Sequence, residues 1–145
     1  MDDRTSGTGS REVTAAEVFS LLPGLARLMP EIGARWWKCH HAAEGGNWDL
    51  AAWQLKEMRK LFRLGKVTRP KYSEDIDAYL AEDVAPVADA IESRDLESFR
   101  EAFQRSIDRA NDYHRKWKKH YIVWKLPADP PPDLVIGPVD PPPAG

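Results

Sequence analysis

The chain has 145 residues, of which 42% are hydrophobic and 30% charged, and this balance predicts a single globular domain. Its formal net charge of −2 gives no basic surface overall, so we expect neither a nucleic acid nor an anionic membrane as partner. No apolar run approaches the roughly 20 residues of a membrane-spanning helix, and the single cysteine, Cys39, excludes an internal disulfide.

The two ends of the sequence differ in composition from its middle. Residues 1–13 are rich in Gly, Ser and Thr, which predicts a disordered segment, and they lack the basic and apolar regions of a secretory signal. We therefore expect a cytoplasmic protein, or a periplasmic one if a signal was removed. Residues 127–145 are rich in proline, which predicts an extended tail that can lie across the domain through its apolar residues 134–136. The folded domain is expected at 14–126.

Apolar residues between these ends recur with helical spacing, beginning with a long stripe over 18–43. Pro23 and Pro30 interrupt the stripe, which predicts a short opening helix followed by a kinked or broken helix at about 24–44. The glycine pair at 45–46 is typical of a helix end.

Three further helices are predicted at about 48–64, 74–93 and 96–121. Gly65 marks the end of the first of them, and Pro86 is expected to kink or split the second. No alternating pattern typical of strands competes with these helices. Four helices with short connections predict an all-α protein, an antiparallel four-helix bundle.

Charge is banded along the sequence. Residues 56–71 carry seven Lys or Arg and one acid, residues 74–101 carry ten acids and two Arg, and residues 115–125 carry five Lys or Arg and no acid. The simplest interpretation is that the basic second helix and the acidic third helix pack as complementary neighbours, and that the last basic group suits a helix C-terminus.

A family resemblance is carried by two segments, GNWDLAAWQL at 46–55 and ANDYHRKWKKHYIVWKLP at 110–127. Their order and spacing resemble small helical c-type cytochromes of the cytochrome c′-like kind, whose last helix ends in a C-x-x-C-H haem-attachment site. In this sequence Ala110 and Tyr113 stand at the two cysteine positions, and His114 stands at the position of the haem-ligating histidine. Thioether attachment needs both thiols, so covalent c-type haem is excluded.

His114 is the residue of greatest interest, because its spacing places it on the apolar face of the last helix. It is either a core histidine bonded to a carbonyl, a water or a tyrosine, or the axial ligand of a noncovalent haem b. A haem-sized void would cost more than a marginally stable domain tolerates. We therefore predict that His114 is mostly buried, with Tyr113, Trp117 and Trp36 close to it beside the small Ala110.

Other chemistry is not indicated by the sequence. Cys39, His40 and His41 are adjacent on a helix and point about 100° apart, so they cannot converge on one metal ion. Neither a phosphate-binding loop nor a hydrolase constellation is present, and we expect no catalytic activity and no metal site.

These observations favour a non-catalytic binding or structural module that resembles a cytochrome without covalent haem. Its expected partners are a small apolar ligand in the aromatic core and a second copy of the chain, docked through the first long helix with Trp37 as an anchor. The resemblance itself implies such a dimer. The alternative is a noncovalent haem or gas-binding protein that uses His114 as its ligand.

Overall fold

Helices account for most of residues 11–144, the part of the chain that this computed structural model describes, and no strand occurs among them. The predicted disorder of residues 1–13 falls mostly outside the described residues. A 3₁₀ turn at Pro70–Tyr72 precedes the fourth helix, and a π turn at Leu80–Val84 follows it. The helices are α1 (Ala15–Leu21), α2 (Leu25–Gly45), α3 (Trp48–Thr68), α4 (Ser73–Tyr79), α5 (Ala85–Ser93) and α6 (Leu96–Lys116).

The predicted all-α, four-helix bundle is confirmed, with α2, α3, the α4–α5 pair and α6 as its four antiparallel members. Its core is aromatic at the centre. Trp36 of α2 stacks on Phe103 of α6 at 4.6 Å between ring centroids, and Phe62 of α3 packs on Tyr79 of α4 at 5.5 Å. Phe99 is fully buried. Because aromatic side chains bury large areas, these rings join all four members into one core.

Two tight turns close one end of the bundle, which we call the turn end. Gly46 (φ 92°) and Arg94 (φ 54°) adopt the left-handed conformation that ends a helix. Each is followed at once by an N-cap, since Asn47 accepts from the amide of Leu50 and Asp95 accepts from the amide of Ser98. The opposite end, which we call the α1 end, contains α1, the Pro70–Tyr72 turn and residues 117–123.

The prolines in and between the helices affect the helices in different ways. Pro86 lacks an amide hydrogen, and a π turn precedes it in which the amide of Ala85 bonds to the carbonyl of Leu80, five residues back. The third predicted helix is therefore split into α4 and α5, as expected. Pro23 lies in the break after the short opening helix α1, but Pro30 does not break α2.

Two predicted helix ends are wrong. The second predicted helix continues through Gly65 to Thr68, because Gly65 is buried where Leu25 of α2 packs closely against it. The last helix ends at Lys116 rather than at 121, because Trp117 forms the C-cap and Lys118 takes a positive φ of 60°. The apolar spacing persists past this point, but the helix does not.

The proline-rich tail returns along α2 towards the turn end. Asn111 of α6 fixes its start, because its side-chain amide donates to the carbonyl of Trp124 at 3.0 Å and accepts from the amide of Trp124 at 2.9 Å. Trp37 then donates to the carbonyl of Asp129 at 2.8 Å, and Asn47 donates to the carbonyl of Val135 at 2.9 Å. The tail thus covers the outer face of α2. Within residues 11–144 no helix is long and apolar enough to cross a membrane.

Candidate functional site

The predicted pocket around His114 is not assembled as expected. His114 lies in the last turn of α6 and is partly exposed, but the larger part of its surface is covered, as the sequence predicts. Its Nδ1 lies 2.9 Å from the carbonyl of Ile122, in the connection that follows the helix. This bond is one of the satisfied states expected for a core histidine. The early end of α6 explains it, because the chain folds back over the ring.

The aromatic residues predicted beside His114 lie in three different surroundings. Trp36 stacks on Phe103, about 16 Å along α6 from His114 at 1.5 Å per residue, so its predicted closeness is wrong. Trp117 packs on Tyr72 at 4.6 Å between centroids, and its indole donates to Asp75 at 2.8 Å. Trp36 belongs to α2 and meets α6 several turns before His114, whereas Trp117 caps the end of α6 and faces the start of α4.

Tyr113 covers a polar cluster instead of a haem pocket. Its ring meets Tyr79 edge-on at 6.0 Å, and the cations of Arg109 and Lys116 each lie 5.9 Å from its centroid. Burial raises the pKa of Tyr113. Ala110, one turn earlier, is partly buried against the same core. The position that resembles the second haem cysteine is therefore filled by a ring held between two cations.

Asp83, which the sequence analysis missed, lies at the inner edge of this cluster on the π turn. Asp83 is only 7% exposed, and its Oδ2 lies 3.5 Å from Nε of Arg109. This oxygen accepts no hydrogen bond from the described residues. Burial raises the pKa of Asp83, while the charge of Arg109 opposes the rise. Tyr79, the last residue of α4 before this turn, donates to the carbonyl of Ser106 at 3.1 Å. The kink expected at Pro86 was the available signal for this irregular turn.

The Cys39-His40-His41 run points into three surroundings. Cys39 is fully buried, and burial raises the pKa of its thiol. The ring of His40 packs on Phe103 at 4.9 Å, while Nε2 of His41 lies 3.0 Å from the carbonyl of Pro127 in the tail. Within the described part of the chain, no three His, Cys, Asp or Glu side chains are grouped to hold a metal ion.

A groove of about 440 Å³ lies between α3 and α5 and reaches the turn end. This volume falls in the range of about 300 to 1,000 Å³ that is typical of small-molecule sites. Its floor is apolar, and its rim carries charged side chains of both signs. The floor consists of Trp48, Ala52, Leu55, Ala88 and Ile91, and the rim of Asp49, Lys56, Arg59, Glu92 and Arg94.

The charges of this groove are not balanced internally. Arg94 pairs with Asp49 at 3.8 Å, with both side chains exposed. Arg59 is partly buried, and burial followed by the charge of Arg63 lowers its pKa, while the charge of Asp89 on α5 opposes the shift. Among residues 11–144 no carboxylate forms an ion pair with Arg59 or with Lys56. The groove therefore combines an apolar floor with a partly buried cation that forms no direct ion pair with a described carboxylate, although Asp89 lies near enough to act on its charge.

Comparisons with family models, with curated proteins and with solved structures found no match for this chain. The resemblance to small helical c-type cytochromes therefore depends on the two segments at 46–55 and 110–127 alone.

Proposed function

We propose that this chain is a non-catalytic helical binding module, and that its ligand is a small amphiphilic acid bound in the groove between α3 and α5. The observation that carries the proposal is Arg59, a partly buried cation without a carboxylate partner in the described chain, above a floor that includes Leu55 and Ile91. A carboxylate on the ligand supplies the missing negative charge, and its hydrocarbon chain covers the apolar floor.

The charge of the proposed ligand follows from the balance of positive and negative side chains on the rim of the groove. Arg94 is already opposed by Asp49, whereas Arg59 and Lys56 are not opposed within ion-pair distance. An uncharged apolar ligand would leave Arg59 partly desolvated and still unpaired, which costs free energy. An acid removes that cost. This refines the small apolar ligand expected from the sequence and moves it from the bundle core to the surface.

A noncovalent haem at His114 is the second candidate. The Nδ1 of His114 bonded to the carbonyl of Ile122 favours it, because metal-ligating histidines are commonly held in this way with the other nitrogen available. A porphyrin also needs a broad apolar slot beside the ring. The neighbouring Trp117 is instead bound to Asp75, and Tyr113 lies between two cations. The residues present do not fit a haem, so we place this function second.

A homodimer through the first long helix loses its expected anchor. The indole of Trp37 donates to the tail carbonyl of Asp129, and Lys38 pairs with Asp133 of the tail at 3.3 Å. The chain's own tail thus occupies the outer face of α2, and we propose no dimer through it. Light scattering at micromolar concentration is expected to give the mass of one chain.

Calorimetric titration with octanoate tests the proposed ligand class. We expect saturable binding of octanoate and weaker binding of octanol, which has the same chain length without the charge. Arg59→Met keeps the length of the side chain and removes its charge, so it should weaken octanoate binding by about tenfold or more, the value of one charge-assisted hydrogen bond. Arg27→Met, at an exposed arginine of α2 outside the groove, is the matched control and should bind normally.

Two outcomes would contradict the proposal. Equal affinity for octanol and octanoate would show that the groove does not select an acid, and unchanged binding in Arg59→Met would place the ligand elsewhere. Addition of haemin to the same protein tests the second candidate. A Soret band that is lost in His114→Ala would favour haem, whereas we expect no specific haem spectrum.

A further inference from the structure

Exposed apolar side chains gather at the α1 end of the bundle. No residue of α1 is buried, and α1 with its C-cap contributes four exposed apolar side chains. The last turns of α3 contribute Leu64 and Val67, and the connection after α6 contributes three more at 121–123. Exposed apolar side chains gathered at one end of a domain are typical of an interaction site. The four residues of the α1 segment are Val18, Phe19, Leu21 and Leu22.

Polar bonds hold α1 in place although it buries nothing. Thr14 caps it by accepting from the amide of Glu17 at 3.1 Å. At its other end, Thr68 donates to the carbonyl of Pro23 at 2.8 Å, and Arg69 donates to the carbonyl of Leu22 at 3.3 Å. Helices in proteins gain most of their stability from burying an apolar face. A short helix that is fixed to α3 with its apolar residues in solvent therefore calls for a partner.

The same end of the molecule carries a concentration of positive charge. Residues 60–71 contain five Lys or Arg, residues 115–125 contain five more, and neither segment contains an acid. The ring of Tyr72, the residue after the first segment, packs at 4.6 Å on the ring of Trp117 in the second. Residues 82–101, which include most of α5 and the turn end, carry seven acids and two Arg. Asp77 and Asp75 of α4 pair with Lys66 and Lys116 at the α1 end, so the cations are partly neutralised there. The remaining excess still polarises the bundle along its axis, and the net charge of −2 hides this.

We propose that the α1 end docks the protein on an anionic lipid bilayer. In this arrangement Phe19, Leu21 and the apolar residues of 121–123 enter the interface between headgroups and acyl chains. The lysines of the connection, Lys118 and Lys119, contact the anionic headgroups. Amphipathic segments that combine apolar side chains with Lys or Arg bind membrane surfaces in this way. The protein would lie on the bilayer, which needs no membrane-spanning helix.

The shape of the α1 end favours a bilayer over a protein groove. Its apolar side chains come from three separate segments, a projecting helix, a helix end and a connection. A lipid surface accepts several projecting apolar groups at once, whereas a helix-binding groove is a single concave apolar trough. The cations of this end that form no ion pair among residues 11–144, which include Lys71, Lys118 and Lys119, match a uniformly negative surface.

Sedimentation of the full chain with lipid vesicles tests the inference. We expect the protein to sediment with phosphatidylcholine vesicles that contain phosphatidylserine, to stay in solution with pure phosphatidylcholine, and to be released by added salt. The double variant Phe19→Ser, Leu21→Ser should lower the affinity by about tenfold or more, as each lost apolar insertion weakens binding. Because neither residue is buried, this variant keeps its fold. Its matched control, Val135→Ser with Val139→Ser, changes two exposed residues of the tail and should bind normally.

A second pair of variants tests the charge. Lys118→Gln with Lys119→Gln should weaken binding to the anionic vesicles and flatten its dependence on salt, whereas Arg105→Gln on α6 should do neither. Equal sedimentation with both kinds of vesicle, or full binding by the Phe19→Ser, Leu21→Ser variant, would overturn the proposal. A parent protein with the mass of two chains in solution would also overturn it, if the Phe19→Ser, Leu21→Ser variant had the mass of one chain. That result would identify the α1 end as a self-association surface. The octanoate groove uses other residues, so either proposal can fail alone.

Discussion

The two ends of the bundle are formed by the same four members but finish in different ways. At the turn end each connection is a left-handed residue followed by a capping side chain, and Glu44 of α2 accepts two bonds of 2.7 Å from Arg100 of α6. At the α1 end, by contrast, a helix without buried residues and an apolar, basic connection face solvent. The turn end thus secures the fold, while the α1 end leaves apolar surface available at no gain in stability.

This contrast predicts where the protein tolerates change. Substitutions at the turn end should reduce the free energy of unfolding, because the groups there are packed or bonded. Equivalent substitutions of the exposed apolar residues of α1 and of 121–123 should leave stability unchanged and alter binding. Matched pairs of residue types at both ends allow the contrast to be tested directly.

The largest expected effect comes from the phenylalanine pair. Phe99 is fully buried near the turn end, so Phe99→Ala should reduce the free energy of unfolding by about 3–5 kcal/mol. Phe19 is 45% exposed on α1, and Phe19→Ala should change it by less than about 0.5 kcal/mol. Urea denaturation measures both. A cost above about 1 kcal/mol for Phe19→Ala would show that α1 is packed in solution.

The helix caps give a smaller contrast. Asp95 caps α6, which lies in the core, by accepting from the amide of Ser98 at 3.1 Å, so Asp95→Ala should cost about 1 kcal/mol. Thr14 forms an equally complete cap on α1 but stabilises a helix that buries nothing. Thr14→Ala should therefore leave the denaturation midpoint unchanged. Equal losses in the two variants would mean that α1 unfolds together with the bundle.

The smallest effect concerns pH. His40 packs on Phe99 and Phe103, and this burial lowers its pKa. The charge of Glu44 opposes the shift, while the charges of His41 and Arg100 reinforce it. A lowered pKa means that the folded state binds fewer protons than the unfolded state. Stability should therefore fall as the pH drops from about 7 to about 5.

Thermal denaturation across this pH range checks the expectation. His40→Gln should fall less steeply than the parent protein, because it removes the titrating group. His120→Gln, at an exposed histidine of the α1 end, should retain the full slope. A parent protein whose midpoint rises on acidification would contradict the sign of the shift.

The sequence predicts the helices well because each long helix presents a regular apolar stripe. The stripe fails at Trp117, where spacing continues towards Tyr121 but the backbone turns at Lys118. It also misleads about Trp36 and His114, since each lies on the apolar face of its own helix but at a different level of the bundle. Which turn of one helix meets which turn of another depends on packing register, and apolar spacing does not encode it.

The groove and the polarised charge were beyond the sequence for a related reason. Arg59 belongs to a basic run whose obvious partner is the acidic third helix, and only the packing of α3 against α5 leaves it unpaired. The net charge predicts no anionic partner, because the acids of 82–101 cancel cations that lie at the opposite end. A net charge summed over the whole chain does not show where the charges lie, and binding depends on where they lie.

The account's central claim is that the two ends of the bundle bind different ligands. Hydrogen–deuterium exchange with and without vesicles, and with and without octanoate, tests this claim most directly. Binding to phosphatidylserine-containing vesicles should slow the exchange of amides at 15–22 and 117–123 relative to the free protein. The exchange of amides at the turn end should not change. With octanoate, protection should instead increase at 48–59 and 88–94. Protection at the turn end on vesicles, or at α1 with octanoate, would contradict the account.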